Sequence, residues 1–181
     1  KETAISNQHT VGISGGTENT TYYGSVSYLD QGGFMRYFDD TYKRFNAKVN
    51  VESEITKWLT VFAKTTFNNN NRNTPYFKFS SLDDNMFSSN AEPLMPVYHP
   101  DGNYSGQGWW TNYVALQKEG GKVSNEVNDS WLTGGLKIKP FEGLVVNFDY
   151  TYNYYANGLD TYCRSFMDHY ADPNRVTVYP H

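Results

Sequence analysis

Apolar and polar residues alternate along this chain with a period of two. Between Tyr42 and Glu54, Phe45, Ala47, Val49 and Val51 fall on one face, and Arg44, Asn46, Lys48, Asn50 and Glu52 fall on the other. Successive side chains of a strand point to opposite sides, so this spacing predicts a strand with one apolar and one polar face. About six such stretches follow one another: His9–Gly15, Thr21–Leu29, Tyr42–Glu54, Trp58–Asn68, Asp129–Lys139 and Leu144–Tyr155.

The connections between them alternate in length. Gly16 to Thr20, Ser53 to Lys57 and Pro140 to Gly143 are tight and rich in residues that tolerate positive φ or bond their own backbone. Asp30 to Asp40 is a medium loop, Asn69 to Asn125 a long excursion, and Asn157 to His181 enters a further long connection. Within the long excursion a weak helical pattern falls on Leu82, Met86 and Phe87, and Asp101-Gly102 is a hairpin-turn signal. Structureless loops this long are uncommon and often functional. The Trp109-Trp110 pair and the tyrosines of this one argue against disorder.

Short turns on one side and long loops on the other are the rhythm of a transmembrane β-barrel. A soluble sandwich alternates too, but three features favour the membrane. The strands look long, about 10 to 13 residues, near the length that crosses a bilayer at a tilt and well above typical soluble strands. Connection length alternates strictly, which a membrane with two different sides explains. Aromatic residues cluster near strand ends, with Tyr22, Tyr23 and Trp58 by the tight turns and Tyr28, Trp131 and Tyr152 towards the long loops, as two interfacial girdles would. The expected fold is therefore all-β, an antiparallel up-and-down meander of about six strands. The smallest membrane barrels need about eight strands, and lipid does not tolerate open edges. The chain, residues 1–181, is thus expected to be a segment of a larger barrel.

Composition fits that expectation. Aromatics make up 17% and charged residues 19% of 181 residues, against about 25% charged in an ordinary soluble domain. Mean hydropathy is −0.69, and no run of about 20 apolar residues is present to form a spanning helix. A net charge of −4 without a basic stripe argues against nucleic acid as a partner. Cys163 is the lone cysteine and cannot form an internal disulfide. There is no initiator Met and no signal-peptide pattern, as expected of a piece cut from something longer.

The residues also resemble a known family. The run I-S-G-G-T-E-N-T-T-Y-Y-G-S-V-S-Y-L-D-Q-G-G-F (Ile13 to Phe34) is similar to the start of the barrel in SusC/RagA-type TonB-dependent outer-membrane transporters of the Bacteroidetes. The similarity continues through Y-K-R-F-N-A-K-V-N-V (Tyr42 to Val51), T-K-W-L (Thr56 to Leu59) and P-V-Y-H-P-D-G-N-Y (Pro96 to Tyr104). The resemblance implies a 22-stranded barrel closed by a plug, and energised import driven by the TonB system. It also implies a SusD-like surface lipoprotein partner, outer-membrane lipid around the barrel, and a glycan or peptide substrate. The chain contains neither the plug nor the TonB-contacting segment of such a transporter. A soluble all-β carbohydrate-binding module is the alternative, because the same aromatics and Asn-rich loops would serve it.

On the barrel expectation the tight turns are periplasmic and the long loops extracellular. Tyr98, Tyr104, Trp109 and Trp110 are then candidates for substrate or partner contact, since aromatic faces are amphipathic platforms. Arg44, Lys48 and Asp149 are expected to face the lumen. No catalytic constellation appears, so no enzyme activity is expected. His9, His99, His169 and His181 lack metal-ligand spacing, Asp83-Asp84 and Asp101 form no EF-hand loop, and the paired glycines suit turns. No cofactor is expected.

Overall fold

The computed structural model of the chain describes residues 3–33, 35–38, 40–76, 96–105, 112–163, 167–169 and 176–178. Six strands form one sheet: β1 (Ser6–Gly16), β2 (Thr20–Gly32), β3 (Thr41–Thr56), β4 (Leu59–Pro75), β5 (Gly121–Ile138) and β6 (Val146–Cys163). Each pairs antiparallel with its neighbour in sequence, in the order β1-β2-β3-β4-β5-β6. The sheet is open, with β1 and β6 at its edges. A short helix, α1 (Tyr113–Glu119), leads into β5. Two three-residue strands, β7 (Met167–His169) and β8 (Val176–Val178), pair with each other. The expected all-β meander of six strands is thus observed.

The tight turns close as their residues suggest. Thr17 N donates to Thr20 O at 2.7 Å, while Thr17 Oγ1 accepts from Thr20 N at 3.2 Å. Lys57 and Trp58 are all that separates β3 from β4, and Trp58 O accepts from Lys139 N of the next turn at 2.7 Å. Between β5 and β6, Gly143 takes φ +91°, a left-handed conformation that a residue with a side chain adopts only at a cost.

Towards the long loops the strands run further than their apolar alternation. β4 continues through the Asn-rich stretch to Pro75 and β5 begins at Gly121, so the expected loop from Asn69 to Asn125 is shortened to 76–120. β6 likewise runs to Cys163. The reason is cross-strand pairing. Asn68 to Pro75 lie opposite Lys122 to Asp129, and backbone N–H and C=O groups so paired need no apolar side chain to justify the strand. Side chains add to it: Asn69 Nδ2 donates to Glu126 Oε1 at 2.8 Å and to Asn128 Oδ1 at 2.7 Å. The pattern on Leu82, Met86 and Phe87 lies outside the described residues.

Register fixes the two faces, because residues directly opposite share a side. One row of the apolar face is Ile13, Gly24, Val49, Thr65, Leu132 and Tyr152, and the next is Val11, Val26, Ala47, Phe67, Ser130 and Tyr154. Along β6 the apolar face carries Val146, Phe148, Tyr150, Tyr152, Tyr154 and Ala156. That run spans ~33 Å along the strand, close to the ~25 Å height of a barrel's apolar band once tilted. Further towards the long loops the same face turns polar, with Asp30 opposite Lys43 and Asn71 opposite Glu126.

From β2 to β5 the apolar face is the more exposed one, the reverse of a soluble sheet, while the edge strand β6 is exposed on both sides. On the apolar side Val49 is 48% and Leu132 55% exposed, and Val26 and Phe67 are exposed too. On the polar side Ser25, Ser27, Asn46, Asn50, Thr66 and Thr133 are half-buried. Among the described residues the fully covered side chains Pro75, Ser105 and Ala115 all lie at the long-loop end, so no apolar core sits against the sheet.

The register also corrects the girdle assignment. Tyr22, Tyr28 and Tyr152 lie on the apolar face, but Tyr23 pairs with Asn50, and Trp131 pairs with Thr66 and Asn153 on the polar face. Tyr23 and Trp131 therefore do not face lipid in a barrel with its polar side inward. They were misplaced because nearness to a strand end says nothing about which side a residue occupies.

Candidate functional site at the long-loop end

Residues 96–105 form a small hairpin above the sheet. Tyr98 and Tyr104 make a β-bridge, Ser105 N donates to Val97 O at 3.1 Å, and Gly102 N donates to His99 O at 2.9 Å. Asp101-Gly102 is the turn that the sequence signals, with Gly102 at φ +86° and Asp101 Oδ1 accepting from Asn103 N at 3.0 Å. Pairing brings the rings of Tyr98 and Tyr104 into a stack, with centroids 5.2 Å apart and planes 27° from parallel.

Asn112 ties this hairpin to α1. Its Nδ2 donates to Val97 O and to Ser105 O, both at 2.9 Å, while its Oδ1 accepts from Ala115 N at 3.1 Å as the helix N-cap. One side chain thus serves both the hairpin carbonyls and the helix end. Asn112→Ala removes all three bonds, and an N-cap alone is worth about 1 kcal/mol. We expect faster amide hydrogen exchange at Ser105, Ala115 and Leu116, with β2 to β5 unchanged. Unchanged exchange at those three amides would show that the cluster is held by something else.

Lys118, in the last turn of α1, brings a third connection into the group. Its Nζ donates to Tyr98 Oη at 2.9 Å and lies 5.6 Å from the Tyr98 ring centroid and 5.2 Å from that of Tyr37, in the β2–β3 loop. Arg36 lies 5.4 Å from the same Tyr37 ring. A cation over an aromatic face is held by the ring quadrupole, so Lys118 clamps the hairpin, the helix and the β2–β3 loop together. The bond to the Tyr98 hydroxyl holds the Lys118 ammonium above the usual lysine range, and Tyr98 and Tyr104 nearby act the same way. Burial, then the neighbouring Tyr98, raises the Tyr104 phenol. Beside Lys118 a cleft of about 520 Å³ is lined by Arg36, Tyr37, Phe38, Asp40, Met35 and Ile5, among others. It offers aromatic surface, two cations and a carboxylate.

Of the residues singled out in the sequence, Tyr98 and Tyr104 come together here, while Trp109 and Trp110 lie outside the described residues. Tyr37, Arg36 and Lys118 were missed. No short-range pattern marks them, because they meet only through the folding of separate loops. Arg44, Lys48 and Asp149 share the polar face of the sheet but do not form one cluster. Arg44 pairs with Leu29 and Asn70, Lys48 with Ser25 and Thr66, and Asp149 with Gly135 nearer the tight turns. Arg44 Nε is covered and has no hydrogen-bond partner among the described residues.

No protein-family model matches the chain, and no curated protein matches it.

Proposed function

We propose that this chain is part of the β-barrel of a TonB-dependent outer-membrane transporter of SusC/RagA type. It imports glycans or peptides together with a SusD-like surface lipoprotein. The observation that carries this reading is the reversed coverage of the sheet. A soluble sheet hides its apolar face, whereas here that face is exposed in a band of membrane height and the polar face is the more covered one. That coverage suits a polar lumen and a lipid-facing exterior. A soluble carbohydrate-binding module would need a second layer over the apolar face, and none of the described residues supplies one.

In this role the open edges at β1 and β6 continue into the rest of a 22-stranded barrel. The tight turns are periplasmic. The Tyr98–Tyr104–Lys118 cluster is extracellular, where it meets the substrate or the lipoprotein. Import is energised through TonB, and the chain performs no chemistry itself.

The test is fractionation of the full-length gene product. We expect it in the outer membrane, extracted only by detergent, and running faster on a gel when unheated than when boiled. Recovery as a soluble, monodisperse protein without detergent would overturn the proposal.

A further inference from the structure

Arg36 and Lys118 meet at one aromatic ring, and neither is neutralised. Arg36 Cζ lies 5.4 Å and Lys118 Nζ 5.2 Å from the Tyr37 ring centroid. Among the described residues neither makes an ion pair, and the tyrosines that meet Lys118 carry no charge at neutral pH. Two like charges gathered around one ring repel each other and gain from an anion placed between them. Both line the cleft of about 520 Å³ beside α1. Its lining carboxylate, Asp40, is already engaged. Asp40 Oδ1 accepts from Met35 N at 3.3 Å, Asp40 O accepts from Gly33 N at 2.7 Å, and the carboxyl group fills the space that a side chain at position 33 would need. That acid closes its own loop. Neither Glu119 nor the stacked pair Tyr98 and Tyr104 lines the cleft.

The rest of the lining is apolar and continues the apolar side of the sheet. Gly32 follows Tyr28 and Asp30 on that side, and Gly32 N donates to Ile5 O at 2.9 Å, which extends the β1–β2 pairing by one residue. Ile5 thus continues the alternation of Ile13, Val11, His9 and Asn7 along β1, and Ile5, Val11 and Ile13 are all well exposed. The cleft opens two rows beyond Tyr28 and Phe45, past the row in which Asp30 faces Lys43. That is about 14 Å along a tilted strand, at headgroup and not acyl depth if Tyr28 and Phe45 mark the interface. A ligand that fits carries a compact negative group for the two cations and an apolar body that runs down the sheet.

We propose that the Arg36–Tyr37–Lys118 cleft binds the phosphate monoester of an outer-leaflet lipid, with the acyl chain lying along the apolar face below Ile5. A monoester carries up to two negative charges and three acceptor oxygens, which suits a guanidinium and an ammonium together. The proposal rests on the proposed function in taking the apolar face as the one that meets lipid.

The test is native mass spectrometry of the full-length protein in nonionic detergent. The probes are phosphatidic acid, phosphatidylcholine with the same acyl chains, and inorganic phosphate. Phosphatidic acid is expected to bind at least about tenfold more tightly than phosphatidylcholine, whose phosphate is a diester beside a cation. Inorganic phosphate should not compete, because it lacks the apolar body. Arg36→Gln should weaken phosphatidic acid about tenfold, the loss of one charge-assisted contact. Lys118→Gln should do the same, and Lys118→Arg, which keeps the charge, should stay within about threefold. Lys64→Gln, on the opposite face of the sheet, should change nothing. Heat-modifiable mobility is read in parallel and should match the wild type in every variant. Equal binding of the two lipids would mean an unselective lipid belt, and competition by inorganic phosphate would mean a free-anion site; either overturns the proposal. So does an unchanged affinity in Arg36→Gln, or an equal loss in Lys64→Gln. Those failures in a protein recovered from the outer membrane sink the lipid site alone, whereas recovery as a soluble protein sinks the barrel assignment with it.

Discussion

Val49→Lys is expected to block assembly of the full-length barrel. Val49 lies in the middle of the apolar face, opposite Gly24 and Thr65, with Ile13 and Leu132 in the same row. It is half exposed in a position that lipid covers under the proposed function. A lysine near the bilayer midplane costs about 2 to 4 kcal/mol on the lipid face of such a barrel, because its ammonium must be stripped of water or drag water in. The comparison is Thr151→Lys on the polar face, where Asp149 lies two residues away on the same side of β6. Asn50, adjacent to Val49 in sequence, is a poorer control because it pairs with Lys64. The fraction of folded, heat-modifiable protein in the outer membrane is the readout. We expect it to collapse for Val49→Lys and to stay near wild type for Thr151→Lys. Equal behaviour of the two would mean that the faces do not meet lipid and lumen as assigned.

Gly135→Val should be strongly destabilising and Gly134→Val should not, although the two glycines are adjacent. On the polar face Phe62 lies across from Gly135 and lays its ring over the glycine backbone. An added Cβ would run into that ring and come within 2.8 Å of Phe148 O. Overpacking of this kind typically costs about 1 to 3 kcal/mol. At Gly134, on the opposite face, an added Cβ meets nothing within 4 Å. The midpoint of urea unfolding in lipid vesicles should therefore drop for Gly135→Val and hold for Gly134→Val. Adding Phe62→Ala should recover part of the loss, since the two substitutions share one contact and cannot be additive. Independent effects at Gly135 and Phe62 would show that the ring does not depend on the glycine.

The long-loop end was the least legible part of the chain. Asp101-Gly102 announced its own turn, because the turn needs one residue at positive φ and a side chain that bonds the backbone two residues on. Nothing local announced α1, which has seven residues and is fastened by Asn112 bonding back to Val97 and Ser105. The meeting of Lys118 with Tyr37 and Tyr98 joins three separate connections, and no window along the sequence contains them together.

The sequence by itself determined the strands, their tight turns and their two-sidedness. A period of two and the residues that close a turn are properties of a few neighbouring positions. It set the apolar side of β3 at Phe45, Ala47, Val49 and Val51 without reference to any other strand. Tertiary structure alone decided how far the strands extend, because Asn69 to Pro75 are held by backbone pairing with Lys122 to Asn128 and not by any alternation of their own. It alone brought Asn153 to Asp129 beside Trp131, and Phe62 over Gly135. The physical reason is register. Which residues lie opposite each other across two strands depends on where the turns close, and a shift of one residue would send every side chain to the other face.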